Sequence, residues 1–130
     1  MSGQNYLAIG GATVAAFVFS SAWYIGFGKL RAQLSSAAAA GARPPIWMMP
    51  AELVRTLVVA SVLAGLASHL RISDVFGAVQ LASALWIGFP FILLSGSVLY
   101  ENVPWKLAAI HAGDWLGKLL IISVIVSVWR

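Results

Sequence analysis

The chain has 130 residues, of which 61% are hydrophobic and 9% charged, and it carries a formal net charge of +4. Soluble domains are about 45–50% apolar and about 25% charged, so 8 Lys and Arg with 4 Asp and Glu cannot clothe a water-facing surface. A soluble enzyme, a disordered regulator and a nucleic-acid binder are excluded, because the eight cations are spread along the chain and form no basic stripe.

With a mean hydropathy of +0.91, the chain reads as an integral membrane protein. A helix needs about 20 mostly apolar residues to cross a hydrocarbon core of ~30 Å. The sequence predicts four such spans, at residues 6–27, 51–70, 75–99 and 105–129. The first has no charge, and without a basic leader it does not read as a cleaved signal peptide. The second carries Glu52 and Arg55 in its first turns. The third is uncharged, and Pro90, after Gly88 and Phe89, should kink it. The fourth holds His111, Asp114 and Lys118. Long continuous apolar runs do not fit the short alternating segments of a barrel. The fold class is therefore all-α, a single transmembrane domain built as an antiparallel four-helix bundle.

The connections 69–74 and 100–104 are short, so spans two, three and four should be antiparallel neighbours. The long connection is residues 28–50; its 34–40 part could form a turn or two of helix, and Gly41, Pro44, Pro45 and Pro50 punctuate the rest. Lys29, Arg31, Arg43 and Lys106 lie on the side of this connection, with Arg55 just inside span two. Arg71 and Arg130 lie on the other side. The excess of cations places the long connection in the cytoplasm and both termini outside.

Ionisable groups within hydrocarbon cost about 2.5–3.5 kcal/mol each on insertion scales, so each is a functional candidate. Residues 56–70, between Arg55 and Arg71, would span only about 22 Å as helix. That is too short to cross, so Arg55 and Glu52 sit below the headgroups or snorkel. At 100° per residue, His111, Asp114 and Lys118 fall within about 60° of one another on span four. Asp114 and Lys118 have the acid-first i, i+4 order that pairs well. Measured from Leu107 they lie about 6, 10 and 16 Å deep. Glu52, Arg55, His111, Asp114 and Lys118 can thus gather as one nearly charge-balanced polar pocket. Such a cluster can be internal glue, a solute or proton pathway, or a catalytic or cofactor site.

No catalytic residue, metal site or cofactor is expected. The zero Cys count removes thiolate ligands and covalent haem attachment. The second histidine, His69, should lie some 20 Å from His111 at ~1.5 Å per residue, and there is no HExxH or glycine-rich phosphate loop. A different face of span four carries Ala109, Gly113 and Gly117, spaced for close backbone approach within the bundle or to a second copy. Ala60, Ala64 and Ser68 repeat the idea on span two, and Ala12, Ala16 and Ser20 on span one. Trp23, Tyr24, Trp47 and Trp129 read as interface anchors. Trp86 lies deeper and reads as a core or subunit contact.

Trp23-Tyr24, followed by Gly26-Phe27-Gly28-Lys29, is similar to a pattern that continues through Leu85-Trp86-Ile87-Gly88-Phe89, Glu101, Ala112-Gly113 and Trp129. In these residues the chain resembles a domain-of-unknown-function family, number 1761, of small four-helix bacterial membrane proteins. The resemblance implies the four-helix architecture and a bacterial inner-membrane location, and no assigned activity. Two positions depart from the pattern: Ile25-Gly26 stands where members usually have a proline, and Asp114 where they tend to have an aromatic residue.

Two functions are compatible with the residues. One is a small-solute or proton-coupled transporter, in which Asp114 and His111 exchange protons while Arg55 and Lys118 bind an anionic group. The other is a non-catalytic accessory or assembly subunit, its helix faces docked in a homo-oligomer or a larger membrane complex. The expected partners are the lipid bilayer, a further membrane chain and a small-molecule ligand. An enzyme acting on lipid or quinone has no motif behind it.

Overall fold

The computed structural model of the protein describes residues 6–34 and 47–129. Positions 35–46 of the long connection, with Gly41, Arg43, Pro44 and Pro45, lie outside the described residues, as does Arg130. The described residues form six helices: α1 (Tyr6–Gly26), α2 (Gly28–Leu34), α3 (Met48–His69), α4 (Val75–Gly88), α5 (Pro90–Glu101) and α6 (Trp105–Val128). Four units are long and apolar enough to cross a membrane: α1, α3, the α4–α5 pair and α6. The protein is an all-helical, multi-pass membrane bundle.

Helix breaks follow local chemistry. Pro90 has no N–H to give the preceding turn, so the third span parts there into α4 and α5. Phe89 sits between them at φ −125°, ψ −77°. The turn after α3 uses Arg71 at φ 57°, and the turn after α5 uses Asn102 at φ 56°. Asn is among the few side chains that tolerate this left-handed conformation. Asp74 caps α4 by accepting the Gly77 backbone N–H at 3.2 Å. A β-carbon on Gly77 would come within 2.8 Å of that carboxylate, which explains the glycine. The long connection begins as helix at Gly28, and of the 34–40 segment expected to form a helical turn all but residue 34 lies outside the described residues.

The last helix is the centre of the bundle. It packs against α1, α2, α3, α4 and α5. In its spanning window 39% of residues are buried, against 6% for α4–α5. Spans two and three, consecutive in the chain, are held apart by α6 rather than packed along each other, which corrects the expectation that they are direct neighbours. The contacts are lined by alanine: Ala12 and Ala16 on α1, Ala60 and Ala67 on α3, and Ala78 and Ala82 on α4 are fully buried. Without a hydrophobic force between helices in lipid, short side chains gain packing by letting backbones approach. On α3 Ala67 takes the buried place that the sequence spacing assigned to Ser68, which is only partly buried. Leu63, Leu119, Ile122 and Val126 fill what the alanines leave. Val14, Val18, Val58, Val62, Leu93 and Leu99 point outward, as lipid-facing side chains do.

Candidate functional site

The polar residues gather at the end of the bundle that carries the long connection. On α3, Glu52 and Arg55 are one turn apart and pair at 2.9 Å. On α6, Asp114 and Lys118 face the same way at i, i+4 and pair at 3.1 Å. The two helices meet here, and the Lys118 ammonium also reaches Glu52 Oε1 at 3.3 Å. The result is an alternating chain of charge: Arg55, Glu52, Lys118, Asp114. Side-chain exposure falls along it from 68% through 32% and 7% to 2%. Its inner end is closed by α1, where the Ser20 hydroxyl donates to Asp114 Oδ1 at 2.5 Å. Each buried charge thus has a counter-charge and a hydrogen bond, the condition for carrying it into a low-dielectric interior.

A second set of side chains lies beside this chain of charge, partly on the same helix. The Tyr24 hydroxyl and His111 Nδ1 are hydrogen-bonded at 2.7 Å. Arg31, on the short α2, lies with its guanidinium 4.6 Å above the Tyr24 ring. Lys118 lies 5.0 Å from the centre of the Trp115 ring. Both sets border a cavity of about 580 Å³. Ser20, Ser21 and Tyr24 line it from α1, Arg31 from α2, Met48, Met49, Glu52 and Arg55 from α3, Leu94 from α5, and His111, Asp114, Trp115 and Lys118 from α6. All four spans contribute, and the volume falls in the ~300–1,000 Å³ range of small-molecule sites. Among the described residues, no three His, Asp or Glu side chains are grouped to hold a metal ion.

A family model described as "Protein of unknown function (DUF1761)" matches residues 7–127, nearly the whole chain. The chain belongs to this family. No curated protein and no solved structure matches it. In this DUF1761 protein two of the positions that carry the resemblance, Trp23 and Trp86, are placed at helix contacts. The Trp23 indole N–H donates to the Ile110 carbonyl at 2.9 Å. From the third span, the Trp86 indole N–H donates to the Ala112 carbonyl at 2.8 Å. A helix carbonyl has two lone pairs, so it can accept these bonds and keep its own. The two indoles thereby pin α6 two residues apart, at the level of the cavity.

All five residues of the predicted polar pocket line the one cavity: Glu52, Arg55, His111, Asp114 and Lys118. Ala109, Gly113 and Gly117 do not share a partner. A β-carbon on Gly113 would lie 2.5 Å from the Trp23 ring, and one on Gly117 would run into the Phe19 ring. Both glycines are therefore occupied by α1 of the same chain. Ala109 instead lines a shallow apolar cleft with Phe91, Val98 and Trp105. Of the residues read as interface anchors, Trp23 and Tyr24 turn inward to α6. Trp47 is exposed before α3, and Trp129 lies half exposed against Gly11.

Among the cavity residues whose role the sequence does not disclose are Ser20, Tyr24, Arg31 and Trp115. In the sequence Ser20 reads as part of a packing face with Ala12 and Ala16, and Arg31 as a loop cation. Trp115 stood out in no motif. The i, i+4 spacing of Ser20 and Tyr24 puts two hydroxyls on one face of α1, and that was the available signal.

Proposed function

We propose that this family member is a small-solute conduit coupled to proton movement, with the cavity as its solute site. The observation that carries the reading is the Asp114–Lys118 pair, buried at 1% and 6% exposure on the wall of a cavity that all four spans build. Internal glue needs only a closed ion pair. Here the pair adjoins a space large enough for a ligand, at the end of a charged chain that rises to the exposed Arg55. Asp114 is the proton-exchanging group. Its neutral form would loosen Lys118, which then rests on Glu52 alone. His111, hydrogen-bonded to Tyr24 in the same cavity, is the second titratable group. The cation excess beside the long connection supports a cytoplasmic opening.

The test is proton flux in vesicles loaded with a pH-sensitive dye under an imposed gradient. The wild-type protein should conduct, and Asp114→Asn and Lys118→Met should each abolish the signal. Equal flux in wild type and both variants, or none above protein-free vesicles in any, would reject the reading. The assembly-subunit reading draws on the third span, where Phe76, Phe89, Ile92 and Leu93 are all exposed. Acyl chains cover such a face equally well, so the cavity favours the conduit.

A further inference from the structure

We propose that Arg31 anchors an oxyanion site in this cavity, and that the occupant carries one carboxylate or phosphate group on an apolar body. The inference rests on the cavity being a solute site. It starts from the charge inventory. The cavity is lined by Arg31, Arg55 and Lys118 against Glu52 and Asp114, three cations to two carboxylates, an excess of one positive charge with His111 neutral. Both carboxylates are already engaged, Asp114 by Lys118 and Ser20, and Glu52 by Lys118 and Arg55.

Arg31 is the cation left over. Among the described residues it forms no ion pair. The whole chain has four Asp and Glu, and residues 35–46 contain none. Of the other two acids, Asp74 caps α4 at the opposite end of the bundle and Glu101 is exposed at the end of α5. The Arg31 Nε–H is shut off from solvent and has no hydrogen-bond acceptor among the described residues. Its guanidinium lies over the Tyr24 ring, so the planar fork is already oriented. A fork whose Nε–H is shut off from solvent, with no counter-charge among the described residues, matches a carboxylate or phosphate, which it can grip with two parallel hydrogen bonds. Lys118, the cation assigned to an anion in the sequence reading, is saturated by its two carboxylates. The remaining walls (Phe17, Met49, Leu94 and Trp115) are apolar and suit the body of an organic anion better than a hydrated halide.

The test uses the full chain purified in detergent and 4-fluorobenzoate as the probe, followed by ¹⁹F NMR titration. Wild type should bind, Arg31→Gln should weaken binding by about 10- to 100-fold, the range of a charge-assisted hydrogen bond, and Arg31→Lys should fall between. Unchanged gel-filtration profiles of both variants keep the comparison valid. Phosphorus assay of the purified protein supplies the second arm. Phospholipid that co-purifies with wild type and is lost in Arg31→Gln identifies a lipid headgroup as the source of the oxyanion, whereas probe binding without it identifies a free anion. Probe binding and phospholipid content that are both indifferent to Arg31→Gln overturn the assignment. If Asp114→Asn still abolishes flux in that case, the conduit stands and only the oxyanion site falls. Binding that depends on Arg31 without flux from any form has the opposite meaning.

Discussion

The hydroxyl of Ser20 lies 2.5 Å from the carboxylate of Asp114, across the contact between the first and last spans. Lys118 holds the other oxygen of the same carboxylate at 3.1 Å. A buried acid is thereby shared by two helices, and the closed end of the charge chain is part of what fixes α1 against α6. Stability and chemistry are coupled here, so substitutions at this point should be read in both.

Replacing Asp114 by leucine leaves Lys118 buried with Glu52 alone. Removing one partner of a buried pair costs about 3–5 kcal/mol, and the lower end applies because Glu52 remains. The Asp114→Leu/Lys118→Leu double variant removes both charges and should recover more than half of that loss. Arg55→Ala, at the exposed end, should cost less than about 1 kcal/mol. Thermal or denaturant unfolding in detergent measures all three. A double variant less stable than Asp114→Leu would show that the pair is not a mutual interaction.

Gly117→Leu and Gly113→Leu should damage the fold of the single chain, not only its association. The added side chains meet Phe19 and Trp23 of α1, and overpacking of this kind costs about 1–3 kcal/mol. Phe19→Ala should rescue Gly117→Leu in part, because it vacates the same space. Unfolding midpoints together with oligomer size settle the matter. Destabilised chains with unchanged size are expected, whereas a stable chain that only loses a partner would place these glycines at a subunit contact.

Trp23→Phe and Trp86→Phe each delete one indole N–H while keeping most of the ring. Each should lower stability by about 1 kcal/mol, the usual net value of one hydrogen bond. Because the two tryptophans hold separate carbonyls on α6, Ile110 and Ala112, the losses should be close to additive. Strong non-additivity in the unfolding free energies would mean that the indoles act through a common shift of α6.

The spans and the charged stripe were legible in the sequence because each follows from a one-dimensional rule. Twenty apolar residues make a span, and 100° per residue puts Asp114 beside Lys118. What pairs across helices obeys no such rule. Ser20 looks like a third small residue after Ala12 and Ala16 until α6 brings a carboxylate opposite it. Trp23 and Tyr24 have the composition and position of an interface belt, and only the rotation of α1 turns them inward to Ile110 and His111. Gly113 and Gly117 announce a close contact without naming the partner. That the last span separates the second from the third was also hidden, since short loops predict neighbours from connectivity alone.

The break at Pro90 leads to a geometric prediction. The ring removes the N–H that would bond the Trp86 carbonyl, and the helix restarts with Pro90 at its first turn. Phe89 still donates back to Leu85 at 3.0 Å, and Leu93 donates to Phe89 at 2.9 Å, so the hydrogen-bond ladder resumes within one turn of the break. Pro90→Ala should let it close and straighten the span. Spin labels at Val79 and Leu99 would then approach the ~30 Å expected for 20 residues at ~1.5 Å each in a straight helix, starting from a shorter separation in the wild type. Leu94 lies on the cavity wall beyond the break, so straightening should also change probe binding. Pulsed electron resonance reports the distance and ¹⁹F titration the binding. A distance that does not change on Pro90→Ala would mean that packing of α4 and α5 against α6, through Ala82 and the Trp86 bond to Ala112, bends the span without help from the proline.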